Sequence, residues 1–98
     1  MTIAQTILRQ IGGGRFMTMT GAKALVDTGN GLRMTLPSTI TKGRINRLTI
    51  TLRGDDTYTI ETGRFAKLDY RTVETMEGVY VDMIHDVIRD LTGLATRL

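Results

Sequence analysis

The chain has no cysteine, no tryptophan, one proline, one histidine and only five aromatic residues among its 98. Without cysteine there are no disulfides, no thiolate nucleophile and no Cys-ligated zinc, which fits a reducing compartment. His85 is the lone imidazole, so any metal site would have to draw mainly on carboxylates. No apolar run approaches the ~20 residues that a bilayer-crossing helix requires, and no membrane partner is expected. The opening MTIAQTILRQIGGG lacks the basic start and apolar stretch of a secretory signal, so the expected location is the cytoplasm.

What remains is an ordinary globular balance, 41% hydrophobic and 23% charged. A chain of this length buries about 60–65% of its unfolded surface, enough for one core and one domain over residues 1–98. The net charge of +3 is unevenly distributed. Through Arg53 there are eight Lys/Arg against Asp27 alone; beyond it five basic residues face nine acidic ones. Such polarity suits a basic face for a polyanion, and equally head-to-tail self-association or simple solvation.

The organising stretch is RINRLTITLRGDDTYTIET, residues 44–62, which alternates with a period of two through a turn and back. A three-residue loop at Gly54-Asp55-Asp56 sets Leu52 opposite Tyr58, Ile50 opposite Ile60 and Leu48 opposite Thr62 on an apolar face. Thr51 and Thr59, and Thr49 and Glu61, then pair on a polar one. Upstream, a Thr2/Gln5 capping box and Ile3, Ile7, Leu8 and Ile11 at helical spacing predict a helix over residues 2–11, ended by Gly12. Gly12-Gly13-Gly14 reads as a flexible exit and RFMTMT as a strand, with Phe16, Thr18 and Thr20 on one side.

Residues 22–36 read as a second hairpin about Gly29-Asn30-Gly31. Gly31 is expected in the left-handed conformation, and Asp27 across from Arg33. Pro37 stops that strand, and residues 38–43 form a polar link. Residues 63–71 look irregular, with a further strand over 71–76. Val79 or Tyr80, Met83, Ile84, Val87, Ile88 and Leu91 form the apolar stripe of a C-terminal helix capped by Gly93; Asp82, His85, Asp86, Arg89 and Asp90 form its polar face. The expected fold is therefore α+β: an antiparallel meander of five to six strands with an N-terminal and a C-terminal helix packed on one face.

Few motifs carry chemistry. Ala24-Leu25-Val26-Asp27-Thr28-Gly29 resembles the catalytic string of retropepsin-like aspartic proteases, dimers in which two carboxylates share a proton. Asn30 departs from that pattern, and a turn braced by Asp27 and Arg33 accounts for the same residues. Asp82, His85, Asp86 and Asp90 share a helix face but describe a solvated amphipathic helix as readily as a metal site, and Arg89 beside them opposes concentrated ligand charge. The triple glycine lacks the Gly-Lys-Ser/Thr ending of a P-loop. Arg53-Gly54-Asp55 is read as a tight turn. No titratable pair is placed with a nucleophile or a metal, so the chain is expected to be a binding protein and not an enzyme, with no cofactor and no metal.

The candidate binding residues are Arg33, Lys42, Arg44, Arg47 and Arg53. Arg47 and Arg53 leave the central hairpin on the same face as Thr49 and Thr51, a surface able to meet phosphates of DNA or RNA. It lacks exposed aromatics on which bases could stack. A sheet face or an edge strand that binds another protein is the leading expectation, with nucleic acid the alternative. An unprotected sheet edge further predicts a homo-oligomer, most simply a two-fold dimer.

Several strings spread over nearly the whole chain carry a resemblance: Ile11-Gly12-Gly13 with Arg15-Phe16, Met19-Thr20-Gly21-Ala22-Lys23, Leu36-Pro37, Ile50-Thr51-Leu52, Asp56-Thr57-Tyr58, Glu77-Gly78-Val79-Tyr80 with Asp82-Met83, and Leu91-Thr92-Gly93-Leu94. Together they resemble a family of small uncharacterised proteins of bacteriophages and prophages. The resemblance implies a phage-encoded accessory domain in the host cytoplasm and offers no activity, cofactor or catalytic residue to carry over.

Overall fold

A computed structural model describes residues 2–94. Five antiparallel strands, β1 (Lys23–Asp27), β2 (Gly31–Thr35), β3 (Arg47–Leu52), β4 (Tyr58–Ala66) and β5 (Asp69–Val79), form one open sheet in sequence order. Three helices, α1 (Ile3–Ile11), α2 (Gly14–Thr20) and α3 (Ile84–Thr92), cover one face of it. The fold is α+β with an N-terminal and a C-terminal helix, as the hydrophobic periodicity predicts.

The central hairpin has the expected register, with Leu48, Ile50 and Leu52 opposite Thr62, Ile60 and Tyr58. Because successive strand side chains alternate in direction, this register sends Leu48, Ile50 and Ile60 into the core with no exposed surface. Leu32 and Met34 of β2 extend the same apolar row. Ile7 and Ile11 of α1 and Ile84 and Ile88 of α3 close over it. Each such side chain contributes about 1.5–3 kcal/mol by leaving water. Local signals delimit the helices. The Thr2 hydroxyl accepts from Gln5 N while Gln5 Oε1 accepts from Thr2 N, and α1 and α3 end at Gly12 and Gly93, both left-handed.

Four expectations are corrected. RFMTMT is helical, lying in α2, because the i and i+4 positions Phe16 and Thr20 are its two buried residues. Over six residues a period of two and a period of 3.6 cannot be told apart. The hydroxyls of Thr18 and Thr20 donate to the carbonyls of Gly14 and Phe16, so the threonines sit in the helix with their polar groups satisfied.

The first hairpin is offset by one residue. Asp27 lies opposite Leu32, and Arg33 opposite Val26. Gly29, not Gly31, takes the left-handed conformation. Gly31 is required for another reason: a Cβ there would collide with the Ile50 carbonyl of the neighbouring strand. A one-residue slip exchanges the faces of a strand, so Leu25 packs against the core while Val26 is exposed.

Residues 63–71 are not irregular but form the far part of a long β4/β5 hairpin, turned by Lys67 and Leu68 at φ 53° and 65°. That turn type normally uses Asn-Gly, and Lys-Leu hides it. Finally, α3 begins only at Ile84; Tyr80 and Met83 precede it and are exposed.

Candidate nucleic-acid interface

The meander fixes which loops meet. The link over residues 36–46 and the β4/β5 turn lie at one end of the sheet; the β1/β2 and β3/β4 turns lie at the other. Charge follows this division. The first end carries Lys23, Arg44, Arg47, Arg64, Lys67 and Arg71, with Asp69 beside the last three and Glu61 in the cleft beside Arg47; the second carries Arg53 with Asp27, Asp55, Asp56 and Glu77. The ion pairs among the described residues join Arg89 to Asp86 and to Asp90, so those cations form none with Asp69.

Among the described residues no helix covers the outer face of the sheet. Near its basic end lies a constellation that periodicity alone does not reveal. Phe65 and Tyr70 are a cross-strand pair, and the Arg47 guanidinium sits over both rings, 5.1 Å and 5.9 Å from their centroids. The Tyr70 ring can lie across the sheet because residue 63 is glycine, a Cβ on which would collide with the phenol. Its hydroxyl donates to Glu61 Oε2 at 2.7 Å. Burial, reinforced by that carboxylate, pushes the phenol up to about 12, so Tyr70 stays protonated through the physiological range. Arg33 and Thr49 complete a shallow cleft of about 380 Å³ over these groups.

The expected absence of outer-face aromatics is thus corrected: the strands that carry Phe65 and Tyr70 are joined by a turn with no sequence signal. Asn46 fixes the same corner from the side. Its Nδ2 donates to Phe65 O at 2.8 Å and its Oδ1 accepts from Phe65 N at 2.7 Å, so one side chain substitutes for an absent neighbouring strand.

The five candidate residues do not converge. Arg33 and Arg47 share the outer face one row apart, where β2 pairs Arg33 with Thr49 and Thr35 with Arg47. Arg44 stands at the same end of the sheet but on the helix side, in a cleft with Asn46 and Arg64. Lys42 turns toward α3 and donates to the Asp90 carbonyl at 2.6 Å, capping the negative end of that helix. Arg53 belongs to the acidic end, beside Asp55, whose carboxyl is held below its usual range first by the Thr57 hydroxyl and then by the Thr57 amide. The cations that alternation does not single out, Arg64, Lys67 and Arg71, are nearer to Arg44 than Arg53 is. Their signal is three basic residues within eight, Arg64, Lys67 and Arg71, against Asp69 alone.

Asp27 is exposed and accepts from Gly29 N at 2.8 Å, an Asx turn at the hairpin end. His85 packs against Phe16, ring centroids 6.4 Å apart. Among the described residues no three His, Asp or Glu side chains gather as metal ligands do, and no helix is long and apolar enough to cross a membrane. Comparison with protein-family models, with curated proteins and with solved structures gives no match.

Proposed function

We propose that this domain works by binding a macromolecule, and that a single-stranded nucleic acid is the ligand its open sheet face suits best. The observation that carries this reading is the Arg47 guanidinium backed by Phe65 and Tyr70, with Arg33 one row away on the outer face of the sheet. A planar guanidinium supported by rings offers a base a stacking surface, and the neighbouring cations offer its phosphates a counter-charge. Fluorescence anisotropy with a labelled oligothymidylate tests it. Binding that weakens at least tenfold in Phe65→Ala, with the fold retained, is the expected result. Undiminished binding in that variant would remove the face from the reading.

A protein partner is the second reading, favoured by a different surface. β5 is an edge strand, and Val73, Met76, Tyr80, Val81 and Met83 leave an exposed apolar run along it and the turn that follows. Register shifts in β5 interrupt the edge, which limits simple strand addition and leaves side-chain contact as the means of recognition. A host or phage protein, or a second copy of the chain in a dimer, would cover it. Affinity for such a partner should respond to Tyr80→Ser and Met83→Ser and be indifferent to Phe65→Ala. The resemblance to phage and prophage proteins supports seeking either partner in the host cytoplasm.

A further inference from the structure

Beyond Gly63 and Thr72 the sheet narrows to two strands, because β3 begins at Arg47 opposite Gly63. This ribbon has two unlike faces. Phe65 and Tyr70 occupy the outer one; Arg64 and Arg71, directly opposite each other, occupy the other. Arg64 also faces Arg44 across a cleft of about 570 Å³ lined by Ser38, Thr39 and Thr41, and shares a second cleft of about 470 Å³ with Arg71, Lys67 and Asp69.

Like charges directly opposite on neighbouring strands destabilise a hairpin. Here the pair stands without an ion-pair partner among the described residues. The same tip carries two further costs: Lys67 and Leu68 both hold positive φ without being glycine, and Leu68 is 93% exposed. Strain and repulsion retained together at one tip point to a role other than folding, and the charge of the tip suits an anion.

We propose that the β4/β5 tip is a phosphate clamp, in which Arg44, Arg64, Lys67 and Arg71 take successive phosphates of a single-stranded nucleic-acid backbone. The proposal rests on the nucleic-acid reading above and adds the path of the strand. Arginine and aromatic faces lie on opposite sides of one narrow ribbon, so the ligand must bend around its free β5 edge. A single strand does so readily, whereas a duplex is stiff over about 150 base pairs. Guanidinium groups suit the task because their forked donors bind phosphate oxygens in pairs.

The test measures the affinity of the full chain for oligothymidylate and for a duplex of the same length across a range of salt. Arg64→Ser/Arg71→Ser removes the repulsive pair, so the variant should fold. It is expected to flatten the slope of log affinity against log salt by up to about 1.4, about 0.7 for each single-strand phosphate that is no longer neutralised. Lys67→Asn/Leu68→Gly supplies a favourable turn and should lower single-strand affinity severalfold in a protein that folds at least as well. An unchanged slope in the arginine variant, with wild-type binding intact, would overturn the clamp and leave the outer-face reading standing. Absence of single-strand binding by the wild type, or binding of anionic phospholipid vesicles instead, would overturn both. Equal loss of duplex and single-strand affinity would overturn the bent-strand path.

Discussion

Gly63→Ala isolates the packing of the aromatic corner. Alanine normally improves on glycine in a strand by about 0.5–1 kcal/mol, since glycine loses more backbone freedom on folding. At this site the added Cβ falls on the Tyr70 phenol, so the ring must swing off the sheet and release Glu61. A hydrogen bond to a charged acceptor is worth about 1.5–3 kcal/mol; partial exposure of this one reduces that to about 1, and displaced ring packing adds about 1 more. The net expectation is a loss of about 1–1.5 kcal/mol, or about 4–12 °C in melting temperature for a domain of this size.

In a Tyr70→Ala background the obstacle is gone, and the same substitution should stabilise by about 0.5–1 kcal/mol. Urea unfolding of the four proteins gives the cycle. An NMR titration of Tyr70 gives an independent readout, since in Gly63→Ala its phenol should fall from about 12 toward the ordinary value of 10.0. The raised pKa stabilises the fold below pH 10, and that contribution is lost as pH rises toward 12. A Gly63→Ala effect of the same sign and size with and without Tyr70 would mean that the phenol does not oppose the added Cβ.

Ile50→Ala removes three buried carbons between Leu32 and Ile60 and should cost about 2–5 kcal/mol, whereas Thr51→Ala, one residue along and facing outward, should stay within about 0.5 kcal/mol; urea unfolding separates them. Lys67→Asn/Leu68→Gly should raise stability by about 1–2 kcal/mol by relieving two positive-φ side chains, and a melting temperature below wild type would contradict the assigned turn. Asp27→Asn keeps an acceptor for Gly29 N and should cost under about 1 kcal/mol; peptidase activity abolished by it would reopen the protease resemblance.

How much of the fold is legible in the sequence depends on the kind of signal. The central hairpin can be read to the residue, because six alternating pairs flank a turn of Gly and Asp that admits one register. Helices α1 and α3 are visible through their apolar spacing, and α1 through its cap. The first hairpin reads one residue out of register because Gly29 and Gly31 both fit a turn, and only the proximity of the Ile50 carbonyl decides which glycine serves which purpose. The aromatic corner is hidden because its turn, Lys67-Leu68, carries none of the usual turn residues, so pattern alone assigns no face to Phe65 and Tyr70. The basic end is half visible: the sequence shows the charges, but topology alone joins Arg44 to Arg64 and separates both from Arg53.

Mapping amide chemical shifts during titration with oligothymidylate locates the bound strand. Perturbations are expected at Arg33, Arg47, Thr49 and along residues 64–71, with the Gly54-Asp55-Asp56 turn and α1 unaffected. Shifts concentrated at Val73, Tyr80, Val81 and Met83, or at the acidic end, would contradict that location.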